Sequence, residues 1–138
     1  MTAEPVLTFR LALPLAEAEA AVRQALLQQG FGILTEVDVQ ATLRQKLGIE
    51  TRPYRILGAC NPGLAHASLE AEPGVGAFLP CGVALREGAS SDETVIALQN
   101  PELMAEAFAA PALAPLGAQA REKLVAALRA VAQPALAS

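Results

Sequence analysis

Hydrophobic and polar residues alternate along the first segment of the chain. In "VLTFRLAL" leucine or phenylalanine stands at every second position, with Thr8 and Arg10 between them. A period of two predicts a half-buried β-strand. In "LAEAEAAVRQALLQQG" the apolar residues instead recur every three or four positions, away from Glu19 and Arg23. This spacing predicts an amphipathic helix, and Gly30 is placed where a left-handed C-terminal cap is favoured.

The same two periodicities divide the rest of the chain into strands and helices. Further strands are predicted over residues 31–39, 54–60, 82–88 and 94–100. Further helices are predicted over residues 40–48, 61–72, 100–108 and 118–132. We expect the last two strands to form an antiparallel hairpin. The order predicts a two-layer α+β fold, a mainly antiparallel sheet of four to five strands with helices packed on one face, and a single domain over residues 1–138.

Composition and charge narrow the class of protein. The chain is 53% hydrophobic and 17% charged, which is enough apolar material for a folded core. The net charge of -4 argues against binding to nucleic acid. Gly or Pro interrupts the uncharged stretches, which also fall short of the roughly 20 apolar residues that span a bilayer. With no signal pattern at the N-terminus, we expect a cytoplasmic protein with no membrane partner and with reduced thiols.

Candidate chemistry begins at "GACNPGLA", residues 58–65. Asn61 is a favoured N-cap residue and Pro62 suits the first helical position, so a helix is predicted to start here. Cys60 directly precedes the cap, where a helix N-terminus can lower the pKa of a thiol. The alternative is that Cys60 is a small buried residue on one strand face with Ile56 and Gly58.

A second cysteine stands in a similar setting. Cys81 follows Pro80 and opens the predicted fourth strand. If the two strand ends are neighbours in the sheet, Cys60 and Cys81 share a pocket. His66 would complete three possible metal ligands, but the spacing fits no usual zinc pattern, so no metal site is predicted and any cofactor stays unknown.

Motifs for other chemistry are missing from the sequence. It contains no phosphate-binding loop of the Walker type, no complete dinucleotide-binding glycine pattern and no nucleophile elbow of the serine hydrolases. Whether the protein is an enzyme is therefore open. Arg52 and Arg55, on either side of Tyr54, are able in principle to bind a small anion, but we favour a solvated strand entrance.

The motif residues together resemble a known family. "YRILGACNPGLAHASLEAEPGVGAFLPCGVALREG" and "TVIALQNPELMAEAF" are similar to the domain-of-unknown-function family 302 over roughly residues 30–110. The matching residues are Cys60, Asn61, Pro62, Gly76, Leu79, Pro80 and Cys81. The resemblance implies a small bacterial or archaeal α+β domain that often forms homodimers, and it implies no reaction.

Three functions remain as hypotheses. The leading one is a homodimeric binding module that holds a small ligand, or a partner surface, near Cys60, Asn61, Pro62, Pro80 and Cys81. The second is a thiol-dependent redox or sulfur-handling protein in which Cys60 attacks and Cys81 resolves. The third is a purely structural dimer.

Overall fold

Six strands and five helices are formed by residues 4–134, the part of the chain that the computed structural model describes. The strands are β1 (Val6–Leu11), β2 (Gly32–Asp38), β3 (Tyr54–Cys60), β4 (Cys81–Glu87), β5 (Thr94–Gln99) and the two-residue β6 (Gln133–Pro134). The helices are α1 (Leu15–Gln28), α2 (Val39–Leu47), α3 (Pro62–Ala71), α4 (Pro101–Phe108) and α5 (Leu113–Arg129). A short 3-10 helix spans Pro73–Phe78.

All neighbouring strands are antiparallel, in the order β2-β3-β4-β5-β1-β6. The expected hairpin of β4 and β5 is present, with Leu85 opposite Ile96. β1 lies inside the sheet, between β5 and β6. The α+β fold predicted from the sequence is confirmed.

The main core lies between one face of the sheet and the helices. Leu57, Val83 and Leu98 are opposite one another across β3, β4 and β5, and all three are buried. They pack in one cluster with Leu26 of α1 and Leu124 of α5. This is the core face of the sheet.

A network of charged side chains lies at the border of the core face, beside β2 and β3. Glu19 of α1 accepts hydrogen bonds from Arg55 at 2.9 and 3.1 Å and from Arg23 at 3.0 Å. Glu36 of β2 pairs with both arginines. The Arg55 hydrogen bond holds the pKa of the Glu19 carboxyl below its usual range, against the opposing effect of burial.

The opposite face, which we call the open face, is covered only in part: Gly58 and Val95 are buried there, but other apolar residues are exposed. Ile56 and Val37 are paired across β3 and β2 on this side and are 39% and 44% exposed. None of the residues of α2 is buried, and its last residue, Leu47, is 66% exposed. Gly48 ends α2 in the left-handed conformation, as glycine at this position favours.

Three details differ from the sequence prediction. The last helix begins at Leu113 instead of residue 118, because Pro115 falls within the first turn, where proline needs no hydrogen-bond partner. Neither the 3-10 helix nor β6 is predicted by the sequence pattern.

In the described range, no helix combines the length and hydrophobicity that crossing a membrane requires.

Candidate functional site

Two helices start at the same edge of the sheet. β3 and β5 are both antiparallel to β4, so they run in the same direction. The helices that follow them, α3 and α4, therefore both start at the edge where β4 begins. The Asn61 side chain accepts a hydrogen bond from the Leu64 N–H at 3.2 Å. Asn100 accepts one from the Glu102 N–H at 3.1 Å. A proline follows each asparagine, so both helix starts form as the sequence predicts.

The two caps differ in burial. Asn100 is only 2% exposed, and its amide also donates to the backbone oxygen of Glu4 at 2.9 Å. Asn100 therefore joins the start of α4 to the segment before β1. Asn61 caps α3 at a half-buried position.

Cys60 and Cys81 lie on neighbouring strands at this edge. Cys81 is opposite Ala59, and Cys60 is the next residue along β3. Both are free thiols, and both line one partly open cavity of about 30 Å³, which we call the cysteine pocket. The other lining residues are Phe31, Ala59, Asn61, Leu64, Ala65, Ser68, Leu79, Pro101, Met104, Leu116, Gly117 and Ala120.

The face assigned to Cys60 from the sequence needs a correction. Alternation places Cys60 with Ile56 and Gly58, but this set belongs to the open face, while Leu57 and Ala59 face the core. Cys60 nonetheless reaches the wall of the pocket, where β3 ends and the chain turns into α3. Cys81 lies on the core face with Val83 and Leu85, as the alternation predicts.

The cysteine pocket is an apolar environment. The Ser68 hydroxyl donates to the Leu64 oxygen at 2.8 Å, so it is satisfied within α3. Burial, and to a smaller extent the charge of the nearby Cys60 sulfur, raise the pKa of the Cys81 thiol to about 11. Cys81 is therefore a neutral thiol at physiological pH.

Of the remaining predicted residues, only Leu79 belongs to the pocket lining. Pro62 occupies the first turn of α3, and neither Pro62 nor Pro80 is in the lining. Pro80 follows a cis peptide bond and lies over Gly58 on the open face. Leu79 lines the pocket, whereas Gly76 belongs to the 3-10 helix.

The structure separates His66 from the cysteines. His66 is outside the pocket lining, its side chain is 78% exposed, and it lies 3.4 Å from Glu70 on the outer side of α3. Among residues 4–134, no group of three or more histidine, cysteine or acidic side chains could hold a metal ion.

Arg52 and Arg55 do not form the anion site considered for them. Arg55 faces the core side of the sheet and is bound by Glu19. Arg52 binds Glu87 at 3.2 Å and the Gly88 oxygen at 2.9 Å. Their positions in the sequence are close, but their side chains contact different partners.

Several lining residues had no functional signal in the sequence. Phe31, Met104 and Ala120 come from distant segments and read there as ordinary core residues. Only the three-dimensional arrangement brings them to the two cysteines.

Comparisons with known proteins agree with this architecture. The family described as "Domain of unknown function DUF302" matches residues 7–131. A solved structure, the crystal structure of an uncharacterized conserved protein DUF302 from Bacillus stearothermophilus, is 29% identical with a TM-score of 0.84. That match covers 92% of this chain and 98% of the other. No curated protein matches the chain. On the family match, which extends over most of the sequence, the chain belongs to the DUF302 family.

Proposed function

We propose that this DUF302 protein is a binding module that holds a small uncharged ligand in the cysteine pocket. One observation carries the proposal: both cysteines of the chain line the same cavity, at the edge where two capped helices begin. The walls come from the sheet and from α3, α4 and α5, so they form a shaped site rather than a gap in one element.

Size and polarity define the ligand class. A cavity needs a volume of roughly 10–15 Å³ to hold one water molecule. The cysteine pocket has about 30 Å³, so it suits a ligand of a few heavy atoms. Asn61 and Ser68 already use their side-chain oxygens within α3. The two thiols and the Asn61 amide are then the polar groups left for a ligand, and the apolar walls disfavour a charged one.

The proposal includes a homodimer formed through the open face. Ile56 and Val37 are exposed there beside α2, which has no buried residue. A helix of nine residues is marginal in water without packing against another surface. A second copy of the chain, related by a two-fold axis, would cover the same patch on both subunits.

A thiol-dependent redox function is the rival at the same site. The placement of Cys60 and Cys81 on neighbouring strands favours it, because a disulfide needs close backbones. The raised pKa of Cys81 counts against it, because a resolving thiol must be ionised to attack. We therefore favour ligand binding over redox exchange.

Native mass spectrometry of freshly purified protein tests the binding proposal. We expect a retained small ligand that Ala120→Leu displaces, because the larger side chain fills the pocket from α5. Ala118→Leu is the matched control, since Ala118 is exposed on the same helix. Protein that carries no ligand, or an Ala120→Leu variant that retains it fully, would contradict the proposal.

A further inference from the structure

The sulfur-containing side chains of the protein meet in the cysteine pocket. The sequence has two cysteines and two methionines, and one of the methionines is Met1, outside the described residues. The other three sulfur atoms belong to Cys60, Cys81 and Met104, and all three residues line the pocket. They come from β3, β4 and α4, so the fold brings them together from distant segments. A small uncharged ligand does not require three sulfur atoms, which indicates a further role for the pocket.

The sheet holds the two cysteines close to each other. Cys81 is opposite Ala59, and Cys60 is the next residue along β3. The spacing between strands and the rise per residue place the Cα atoms of Cys60 and Cys81 about 6 Å apart. The charge of Cys60 acts on Cys81, which agrees with this closeness. Two side chains at this separation can both reach one ion between them.

Met104 adds a third sulfur atom from the helix side of the pocket. It is 6% exposed and belongs to α4, which packs against α5 and the 3-10 helix. The methionine side chain is unbranched and adapts to irregular spaces, so its thioether suits a position against the two thiols.

The donor atoms define the class of metal ion. Thiolate and thioether sulfur favour copper(I), whereas magnesium, calcium and manganese prefer oxygen ligands. Among the described residues that line the pocket, none is a histidine, an aspartate or a glutamate. A structural zinc site takes four ligands, which is more than the three sulfur atoms supply. The pocket therefore suits copper(I), and a thioether ligand removes the need for a third histidine, cysteine or acidic side chain.

The charge of an occupied site is small. Binding breaks two S–H bonds and forms two Cu–S bonds, and the two protons pass to solvent without any change of oxidation state. Copper(I) with two thiolates and a neutral thioether carries one net negative charge. Asn61 and Pro101, at the starts of α3 and α4, both line the pocket, and helix N-termini favour negative charge. The apolar walls thus disfavour a free ion but accept one that replaces thiol protons.

We propose that the cysteine pocket binds one copper(I) ion through the sulfur atoms of Cys60, Cys81 and Met104. The metal site uses the same pocket as the proposed function but does not depend on the uncharged ligand. A volume of about 30 Å³ holds one of the two at a time, so copper(I) and that ligand compete.

Anaerobic titration of the reduced protein with copper(I), in competition with the coloured chelator bicinchoninate, tests this site. We expect one ion per chain, an ultraviolet absorption from thiolate-to-copper charge transfer, and an affinity that rises with pH because protons are released. Even partners outside the ligand set are worth about 10–100-fold in metal affinity, so Cys60→Ser and Cys81→Ser should each weaken binding by at least about a hundredfold. Met104→Leu removes a neutral ligand and should weaken binding by about tenfold.

Met104→Leu also separates ligation from folding. Leucine and methionine have similar volumes, so this variant should keep its structure, which circular dichroism checks. Adding Leu103→Met to Met104→Leu returns a thioether to α4 at a half-buried position outside the pocket lining. This second change should not restore the affinity for copper(I).

Three results would overturn the copper site. They are the absence of a one-to-one complex, full affinity in Met104→Leu, and recovery of affinity on adding Leu103→Met. The proposed uncharged ligand is tested separately, because native mass spectrometry distinguishes its mass from that of copper. A protein that retains such a ligand but fails to bind copper(I) contradicts the metal site alone, and the reverse result contradicts the uncharged ligand alone.

Discussion

Pro80 lies so close to Gly58 that a side chain on the glycine has no room. A Cβ built on Gly58 would be 2.5 Å from Pro80 Cγ, and it would also meet the Thr35 hydroxyl. Gly58→Ala should therefore lower the free energy of unfolding by about 1–3 kcal/mol, the usual cost of overpacking. Chemical denaturation measures the change.

Gly32 provides the control for this substitution. It is also a strand residue, but a Cβ there would meet nothing within 4 Å. Gly32→Ala should leave stability unchanged or raise it by up to about 1 kcal/mol. Equal losses in both variants would show that Pro80 is not the cause.

The two cysteines should differ in reactivity. With a pKa of about 11, roughly one Cys81 thiol in a thousand is ionised at pH 8. In Cys60→Ala burial remains as the cause of the raised pKa, so iodoacetamide should still modify native Cys81 at least about tenfold more slowly than in the unfolded chain, where a thiol has a pKa of about 8.5. The native rate should still rise between pH 9 and 11, and a plateau near pH 9 would contradict the burial.

Local chemistry explains which parts of the fold the sequence predicts. Asn61 and Asn100 each precede a proline and form their caps with residues two or three positions away, so no distant contact is needed. The alternation in β1 likewise defines its two faces without reference to other strands.

The side of the sheet that receives the helices has no such local signal. β3 carries apolar residues on both faces, Ile56 on one and Leu57 on the other, so alternation cannot say which face is covered. The sequence pattern does not predict the cysteine pocket for a related reason, because its walls come from distant segments. Met104 and Ala120 reach Cys81 only through the packing of α4 and α5.

The two helix caps should differ in their contribution to stability. Asn61→Ala loses one capping bond and should cost about 1 kcal/mol. Asn100→Ala also removes the hydrogen bond to the Glu4 backbone oxygen, so it should cost about 1 kcal/mol more. Denaturation of both variants gives the comparison, and equal losses would show that the Glu4 bond contributes nothing.

Glu19 should make stability depend on pH in the acid range. The pKa of Glu19 is lowered in the folded protein, mainly by the Arg55 hydrogen bond. Its contribution to the free energy of unfolding is therefore complete above its pKa in the unfolded chain, which is about 4.5. The contribution is lost as the pH falls through the lower folded value. Glu19→Gln should reduce the free energy of unfolding by about 2 kcal/mol at pH 7, and the difference from wild type should shrink below pH 4.

Glu50 offers an exposed ion pair as the control. It binds Arg44 at 3.0 Å, but both side chains are more than half exposed. Glu50→Gln should change stability by much less than Glu19→Gln does, because solvent screens an exposed pair. A larger effect than that of Glu19→Gln would refute the importance of burial.

The proposed dimer can be tested on its surface. Ile56 and Leu69 are 39% and 40% exposed, but only Ile56 belongs to the open face. Ile56→Glu should raise the dimer dissociation constant by at least about tenfold in sedimentation equilibrium, while Leu69→Glu should leave it unchanged. A monomeric wild type, or equal effects of the two variants, would exclude this interface.

The position of β1 inside the sheet has a consequence for biosynthesis. Phe9 lies opposite Ile96 on one side and Pro134 on the other, so β1 is completed by segments that are synthesised much later than β1 itself. A ribosome must therefore synthesise the chain through β6 before this strand has both neighbours. Until then its apolar residues are available to chaperones, and folding is set by closure between distant segments.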